Sequence, residues 1–129
     1  MRNLNIAKLG LMVLVALIVG CNRQVSFKND IYPIFQARCM KCHAPGSPGC
    51  VVSGFSLASY QSLMKGTKFG PVVVAGSTLD SNLLRLVKHE ADPSIAMPRS
   101  TIPGMPSEWL SPEQINLIET WIKQGAKDN

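Results

Sequence analysis

Apolar residues recur at helical spacing in four segments of the chain. In the first three, residues 30–40, 57–65 and 80–89, hydrophobic side chains return every three or four positions, as on one face of an amphipathic helix. Pro33 falls in the first turn of the first segment, where proline is tolerated. Gly66 directly follows the second segment and is a typical helix stop. We therefore predict three short helices at these positions.

The fourth segment, near the C-terminus, has the strongest boundary signals. Ser111 is the predicted N-cap, Pro112 takes the first helical position, and Gln114 completes a capping box. Gly125 is expected to end the helix. The apolar stripe of this helix consists of Ile115, Ile118, Trp121 and Ile122.

Irregular connections separate these helices. Residues 44–54 hold two prolines and three glycines, and residues 92–109 hold four prolines, so both segments are predicted loops. Residues 69–76 form the only strand-like run, and this run is short. The pattern predicts an all-α fold, in which about four short helices with long loops form one small domain.

The first twenty residues have the character of a signal peptide. Arg2 and Lys8 precede an apolar run of about a dozen residues, which is shorter than the roughly twenty needed to span a membrane. The run ends at Cys21 in a sequence that resembles a bacterial lipobox, in which this cysteine is lipidated and becomes the mature N-terminus. An uncleaved anchor, or an ordinary signal followed by a chance cysteine, is the alternative. We expect a signal peptide at 1–20, the lipidated cysteine and a short tether at 21–26, and the folded domain at 27–126.

The net charge and the predicted export indicate which kinds of partner to expect and where the protein is located. The chain has 13 Lys and Arg against 8 Asp and Glu, and loss of Arg2 and Lys8 with the signal peptide lowers its net charge from +5 to +3. The basic residues are scattered, without a basic stripe interleaved with aromatic residues, so nucleic acid is not an expected partner. We expect a lipid anchor in the bacterial cell envelope, with the domain in the periplasm or at the cell surface. Asn22 is not the Asp that retains lipoproteins in the inner membrane of enteric bacteria, so our expectation is the outer membrane.

Three residues carry the predicted chemistry. Cys39, Cys42 and His43 form a C-x-x-C-H sequence, the pattern of covalent haem c attachment. Two thiols three positions apart near a helix end can each add to one haem vinyl group, and the adjacent histidine can supply the proximal nitrogen to the iron. With Cys21 lipidated, three cysteines remain, and this odd number argues against a disulfide framework. We predict one covalently bound haem c.

Other sites use the same residue types. A thioredoxin-like pair also has C-x-x-C but expects a βαβ context, whereas this motif follows a predicted helix and precedes a loop. A zinc ion could be held by Cys39, Cys42, His43 and Cys50. A disulfide between Cys39 and Cys42 is the purely structural alternative. Outside the zinc site, Cys50 is expected to be an ordinary free thiol.

The second axial ligand is predicted downstream of the motif. Electron-transfer cytochromes often hold iron between histidine and methionine, because the thioether raises the reduction potential. Met97 and Met105 are each followed by proline, which stiffens the loop and removes a backbone donor. We predict Met97 as the ligand, with Met105 as the alternative. His89 would give a bis-histidine site, although a histidine between Lys88 and Glu90 near a helix end is more often solvated.

The chain as a whole resembles the planctomycete-type cytochrome c domains over about residues 27–126. The resemblance implies a class I-like, all-α cytochrome c fold with one haem, and it favours Met97 as the distal ligand. Residues 100–109 look inserted relative to the family, and this insertion carries Met105. The segments that carry the resemblance include Asp30-Ile31-Tyr32-Pro33-Ile34-Phe35, Cys39-x-x-Cys42-His43, Met97-Pro98 and Trp121-Ile122-x-x-Gly125-Ala126.

We therefore expect an electron-transfer protein rather than an enzyme, with redox proteins, themselves membrane-associated, as its partners. His43 and Met97 would hold the iron in both oxidation states. One alternative is a haem sensor or enzyme subunit with an open distal position, and another is a zinc- or disulfide-stabilised lipoprotein without a redox role. The side chains expected to keep water from the haem are Phe35, Leu84, Trp121 and Ile122.

Overall fold

Helices make up the regular structure of the described residues, 23–99 and 109–129, in this computed structural model. A π-helical turn at Phe27–Ile31 leads into α1 at Tyr32–Arg38. Within the described ranges no strand forms, and the strand-like run at residues 69–76 takes part only in two isolated bridges. The all-α prediction is confirmed. The remaining helices are α2 (Met40–His43), α3 (Pro48–Ser53), α4 (Tyr60–Lys65), α5 (Asn82–Val87) and α6 (Pro112–Lys123).

The helix boundaries follow capping chemistry. α4 begins later than predicted because Ser59 caps it, in a reciprocal box with Ser62. The predicted loop at 44–54 is wrong in part, since it contains α3. Pro48 stands in the first turn of α3, where proline is compatible with a helix, and Gly54, with a φ of 74°, ends it. These residues are therefore boundaries of a helix rather than evidence against one.

The core lies where the N-terminal and C-terminal helices meet. Ile118, Trp121 and Ile122 of α6 have no exposed surface. The ring of Phe27 lies 5.6 Å from that of Trp121, centroid to centroid. The indole N–H of Trp121 donates to the carbonyl oxygen of Lys127 at 2.9 Å, so its one polar atom is satisfied. The predicted apolar stripe of the last helix thus holds the two ends of the domain together.

The segment predicted as a tether is packed onto the domain from Arg23 onward. The Arg23 guanidinium donates to both carboxylate oxygens of Asp30, at 2.8 and 3.0 Å. Val25 is 4% exposed, and its N–H donates to the side-chain oxygen of Gln124 at 2.7 Å. The folded structure therefore begins before residue 27. The predicted signal peptide, Cys21 and Met105 lie outside the described residues, and within those residues no helix is long and apolar enough to cross a membrane.

Candidate functional site

The structure brings Cys39, Cys42 and His43 together on one helical turn. α1 ends at Arg38, and the N–H groups of Cys42 and His43 both donate to the Cys39 carbonyl oxygen, at 3.1 and 3.0 Å. Residues three positions apart on such a turn lie on the same face. Both cysteines are half-buried free thiols. The turn therefore presents two thiols on one side, with the histidine next to the second.

Burial is the main influence on the protonation state of the Cys39 thiol. Burial raises the pKa of Cys39 to about 11, and the negative charge that Cys42 can carry adds to this, while Arg38 opposes it. Redox-active C-x-x-C pairs work instead through a thiolate with a lowered pKa. The Cys39 thiol is therefore neutral near pH 7, which disfavours dithiol exchange.

The imidazole of His43 is oriented by the segment that follows α3. Its Nδ1 lies 3.2 Å from the carbonyl oxygen of Phe55, and because a carbonyl oxygen only accepts, Nδ1 must carry the proton. Nε2 then keeps its lone pair and can bind a metal. The Leu57 N–H also donates to the His43 carbonyl oxygen at 2.9 Å, and the Phe55 ring packs edge-on at 5.2 Å. This is the arrangement expected around an axial histidine, so the residues fit a haem iron.

Gly49 is a site residue that the sequence analysis placed in a loop without a role. A Cβ atom built on Gly49 would lie 2.5 Å from the Cys42 carbonyl oxygen and 3.2 Å from Cε1 of His43. α3 can therefore lie against the attachment motif only because this position has no side chain. The sequence signal was the Pro48-Gly49 pair, which reads equally well as a turn.

The predicted distal residues gather at the C-terminal end of α5. The half-buried Met97 donates its N–H to the Leu86 carbonyl oxygen at 3.2 Å, and His89 donates its N–H to the same oxygen at 3.2 Å. The two residues are thus held at one corner of the fold. Met105, the alternative ligand, lies outside the described residues.

His89 is not the solvated surface histidine that its charged neighbours suggested. Its backbone is left-handed, with a φ of 58°, and its ring stacks on Trp109 with centroids 3.9 Å apart. Its Nε2 atom is buried and has no hydrogen-bond partner among the residues that the structure describes. The reason for the difference is tertiary, because the stacking partner is twenty residues away in the sequence.

The alternative sites considered for this motif, a zinc site, a disulfide and a thioredoxin-like pair, do not form among the described residues. In the part of the chain that the structure describes, no three His, Cys, Asp or Glu side chains come together to hold a metal ion, so the zinc site with Cys50 does not form. Cys39, Cys42 and Cys50 are all free thiols. The βαβ context of a thioredoxin-like pair is also missing from residues 23–99, which form helices and turns.

The side chains expected to shield a haem are buried, as predicted. Phe35 is 1% exposed, Leu84 is 3% exposed, and Trp121 and Ile122 have no exposed surface. All four belong to one hydrophobic cluster of the described residues. Their contact with haem stays a prediction.

Comparison with known proteins gave a family match and a similar solved structure. Residues 39–100 match the family model described as Planctomycete cytochrome C, a stretch that begins at Cys39 and includes His89 and Met97. Among solved structures, a chain of Kuenenia stuttgartiensis Hydrazine Synthase is similar to this one, at 26% sequence identity and a TM-score of 0.52. The similarity covers 81% of this chain and 16% of that chain. A comparison with curated proteins gave no match.

Proposed function

We propose that this protein, a planctomycete-type cytochrome c, transfers single electrons through its one covalently bound haem c. When bound, the haem supplies an iron that cycles between the ferrous and ferric states. Cys39 and Cys42 would hold the group through thioether bonds, and His43 and Met97 would bind the iron. Two protein ligands to the iron would keep its coordination unchanged between oxidation states, which would favour fast electron transfer over catalysis at the metal.

The hydrogen bond from His43 to Phe55 is the observation that supports this proposal most. It fixes the tautomer in which Nε2 is free to bind iron, and it restrains the plane of the imidazole ring. A second contact, from the Leu57 N–H to the His43 carbonyl oxygen, holds the main chain of the ligand in register with the same segment. The ligand is therefore pre-organised before any metal binds.

The first test is expression with a haem c maturation system. We expect haem at one per chain that survives acid–acetone extraction, with sharp α and β bands in the reduced protein. Cys39→Ser should leave a single thioether, and Cys42→Ser likewise, with shifted α bands in both variants. Cys50→Ser is the matched control, because its thiol is not part of the motif and its loss should leave the spectrum unchanged. A colourless protein, or haem that extracts completely from the wild type, would contradict the proposal.

The assignment of Met97 is tested by Met97→Leu. A nearly isosteric leucine removes the thioether with little change in volume. We expect the far-red sulfur-to-iron band of the oxidised protein to disappear. The reduction potential should fall by tens to hundreds of millivolts, because axial ligands tune haem potentials over about 0.8 V. Met64→Leu is the control, since Met64 packs against the core and should not affect the band. A band that survives in Met97→Leu would move the assignment to Met105.

The similarity to a hydrazine synthase chain favours a second candidate, a haem-binding module of an enzyme complex. Because this chain covers only 16% of that chain, the similarity does not carry the enzyme's activity with it. An enzymatic haem needs an open coordination position. Carbon monoxide binding by the reduced wild-type protein at neutral pH would favour this candidate, and lack of binding favours electron transfer.

We further propose that the protein is an exported lipoprotein with redox partners at the membrane. The proposal rests on the signal-like residues 1–20 and the lipobox-like cysteine that follows them. Cys21→Ala should abolish labelling by a radioactive fatty acid and release the protein from the membrane fraction. Equal labelling of the wild type and the variant would contradict it.

A further inference from the structure

We propose that His89 is a second nitrogen donor to the haem iron, and that it takes the distal position when Met97 is not bound. The inference rests on the proposed function, because it requires a haem held by His43. His89 lies within the segment that matches the family model, but it has no role in the proposed ligation by His43 and Met97.

Position is the first argument. The N–H groups of His89 and Met97 each lie 3.2 Å from the Leu86 carbonyl oxygen, so the two amide nitrogens are within about 6.4 Å of each other. Both side chains therefore start from the same corner at the end of α5. A site that Met97 can reach from this corner is also near the start of the His89 side chain.

The second argument is an unsatisfied nitrogen. The left-handed φ of 58° at His89 belongs to a Schellman cap at the end of α5, in which the His89 N–H donates to the Leu86 carbonyl oxygen and the Glu90 N–H donates to that of Arg85. Among the described residues, however, the buried Nε2 atom of His89 has no hydrogen-bond partner, whereas buried polar atoms in folded proteins are almost always paired. A bound metal would give this nitrogen the partner it lacks.

Neighbouring contacts hold the His89 imidazole in place and engage the Lys88 amine, which could otherwise compete with it for the iron. The indole of Trp109 stacks on the His89 ring with an interplanar angle of 29°, which limits rotation of the imidazole. The adjacent amine, Lys88, donates to a carboxylate oxygen of Glu119 at 2.7 Å. Within residues 23–99 and 109–129, Lys88 is thus engaged in an ion pair, whereas Nε2 of His89 lacks a hydrogen-bond partner.

The chemistry of the two donors predicts different redox properties. Imidazole is a harder donor than a thioether, so it stabilises ferric iron relative to ferrous iron, whereas the thioether raises the potential. Displacement of Met97 by His89 would therefore lower the reduction potential while keeping the iron six-coordinate and closed to small ligands.

The test compares single and double variants of the mature, haem-loaded protein. We expect Met97→Leu to lose the far-red band but to stay low-spin and resist carbon monoxide. The double variant with His89→Phe should become high-spin when oxidised and bind carbon monoxide when reduced. Phenylalanine keeps a ring against Trp109 and removes only the nitrogen donors. His89→Phe alone is the control and should keep the far-red band.

Two results would overturn the inference. One is a Met97→Leu protein that is already high-spin and binds carbon monoxide as readily as the double variant. The other is a double variant that stays low-spin, since another donor would then fill the position. If Met97→Leu fails to mature, carboxymethylation of the methionines in mature wild-type and His89→Phe proteins gives the same comparison. Failure of the proposed function itself looks different, because the wild type would then lack covalent haem.

Discussion

Gly49→Ala tests how tightly α3 is held against the attachment motif. Within a helix, alanine is favoured over glycine by about 1 kcal/mol, so propensity alone predicts a more stable protein. The added Cβ, however, would lie 2.5 Å from the backbone oxygen of Cys42, and real Cβ atoms essentially never approach another atom closer than 3.0 Å. Because this oxygen belongs to the main chain, it cannot rotate away, and α3 must move by at least about 0.5 Å.

The expected size of the effect follows from these opposing contributions. Overpacking of a well-packed site costs about 1–3 kcal/mol. After the gain of about 1 kcal/mol in helix propensity is subtracted, we expect a net destabilisation of up to about 2 kcal/mol, or a decrease in Tm of up to roughly 10 °C for a domain of this size. Because Cε1 of His43 lies 3.2 Å from the new Cβ, the imidazole should also shift. Guanidinium titration would measure the first effect, and the NMR signals of the axial histidine would measure the second.

Gly46→Ala is the matched control for this prediction. A Cβ on Gly46 would meet nothing within 4 Å, but its φ of 80° is unfavourable for alanine. It should therefore destabilise the protein by about 1 kcal/mol without changing the His43 signals. The packing argument is refuted if Gly49→Ala is as stable as the wild type, or more stable, and leaves His43 undisturbed.

Further predictions concern α6. Ser111→Ala should destabilise the protein by about 1 kcal/mol in denaturant titration, because Ser111 and Gln114 form a reciprocal capping box. An unchanged free energy of unfolding would contradict this. Ion pairs with Lys123 and Lys88 lower the pKa of Glu119 to about 2 from an ordinary value of 4.5. The stability from these pairs is present above pH 4.5 and is lost as the pH falls toward 2. Because the pairs are partly exposed, we expect a loss of about 1 kcal/mol, and this pH dependence should be absent in Glu119→Gln.

Residues close together in the sequence were sufficient to predict the turn that carries Cys39, Cys42 and His43. The C-x-x-C-H spacing places both thiols and the histidine on one turn, and the Cys39 carbonyl oxygen forms that turn as the spacing requires. The same holds for α6, whose cap, first-turn proline and apolar stripe are all local features. The cofactor and the all-α fold were therefore predictable from residues that are near neighbours in the chain.

Features that depend on contacts between distant segments were not predictable. Nothing around Gly49 indicates that a helix there lies against Cys42, because proline and glycine are equally typical of a loop. Val25 looked like part of a polar tether, but it is buried by packing against the far end of the chain. His89 was expected to be solvated, but its ring stacks on Trp109. The sequence near His89 gives no sign of this contact, because Trp109 is distant in the chain.

This division between local and distant contacts bears on how the two sides of the haem site can change. The attachment turn and its supporting hydrogen bonds lie within residues 39–57, so they do not involve the corner at the end of α5. The distal candidates instead depend on Leu86, whose single carbonyl oxygen anchors both Met97 and His89. Replacing Met97 should therefore change the distal ligand and the reduction potential while leaving covalent attachment intact, and access to the iron should change once His89 is replaced as well. For this reason, the distal ligand can be identified by spectroscopy on fully loaded variants rather than inferred from failure to bind haem.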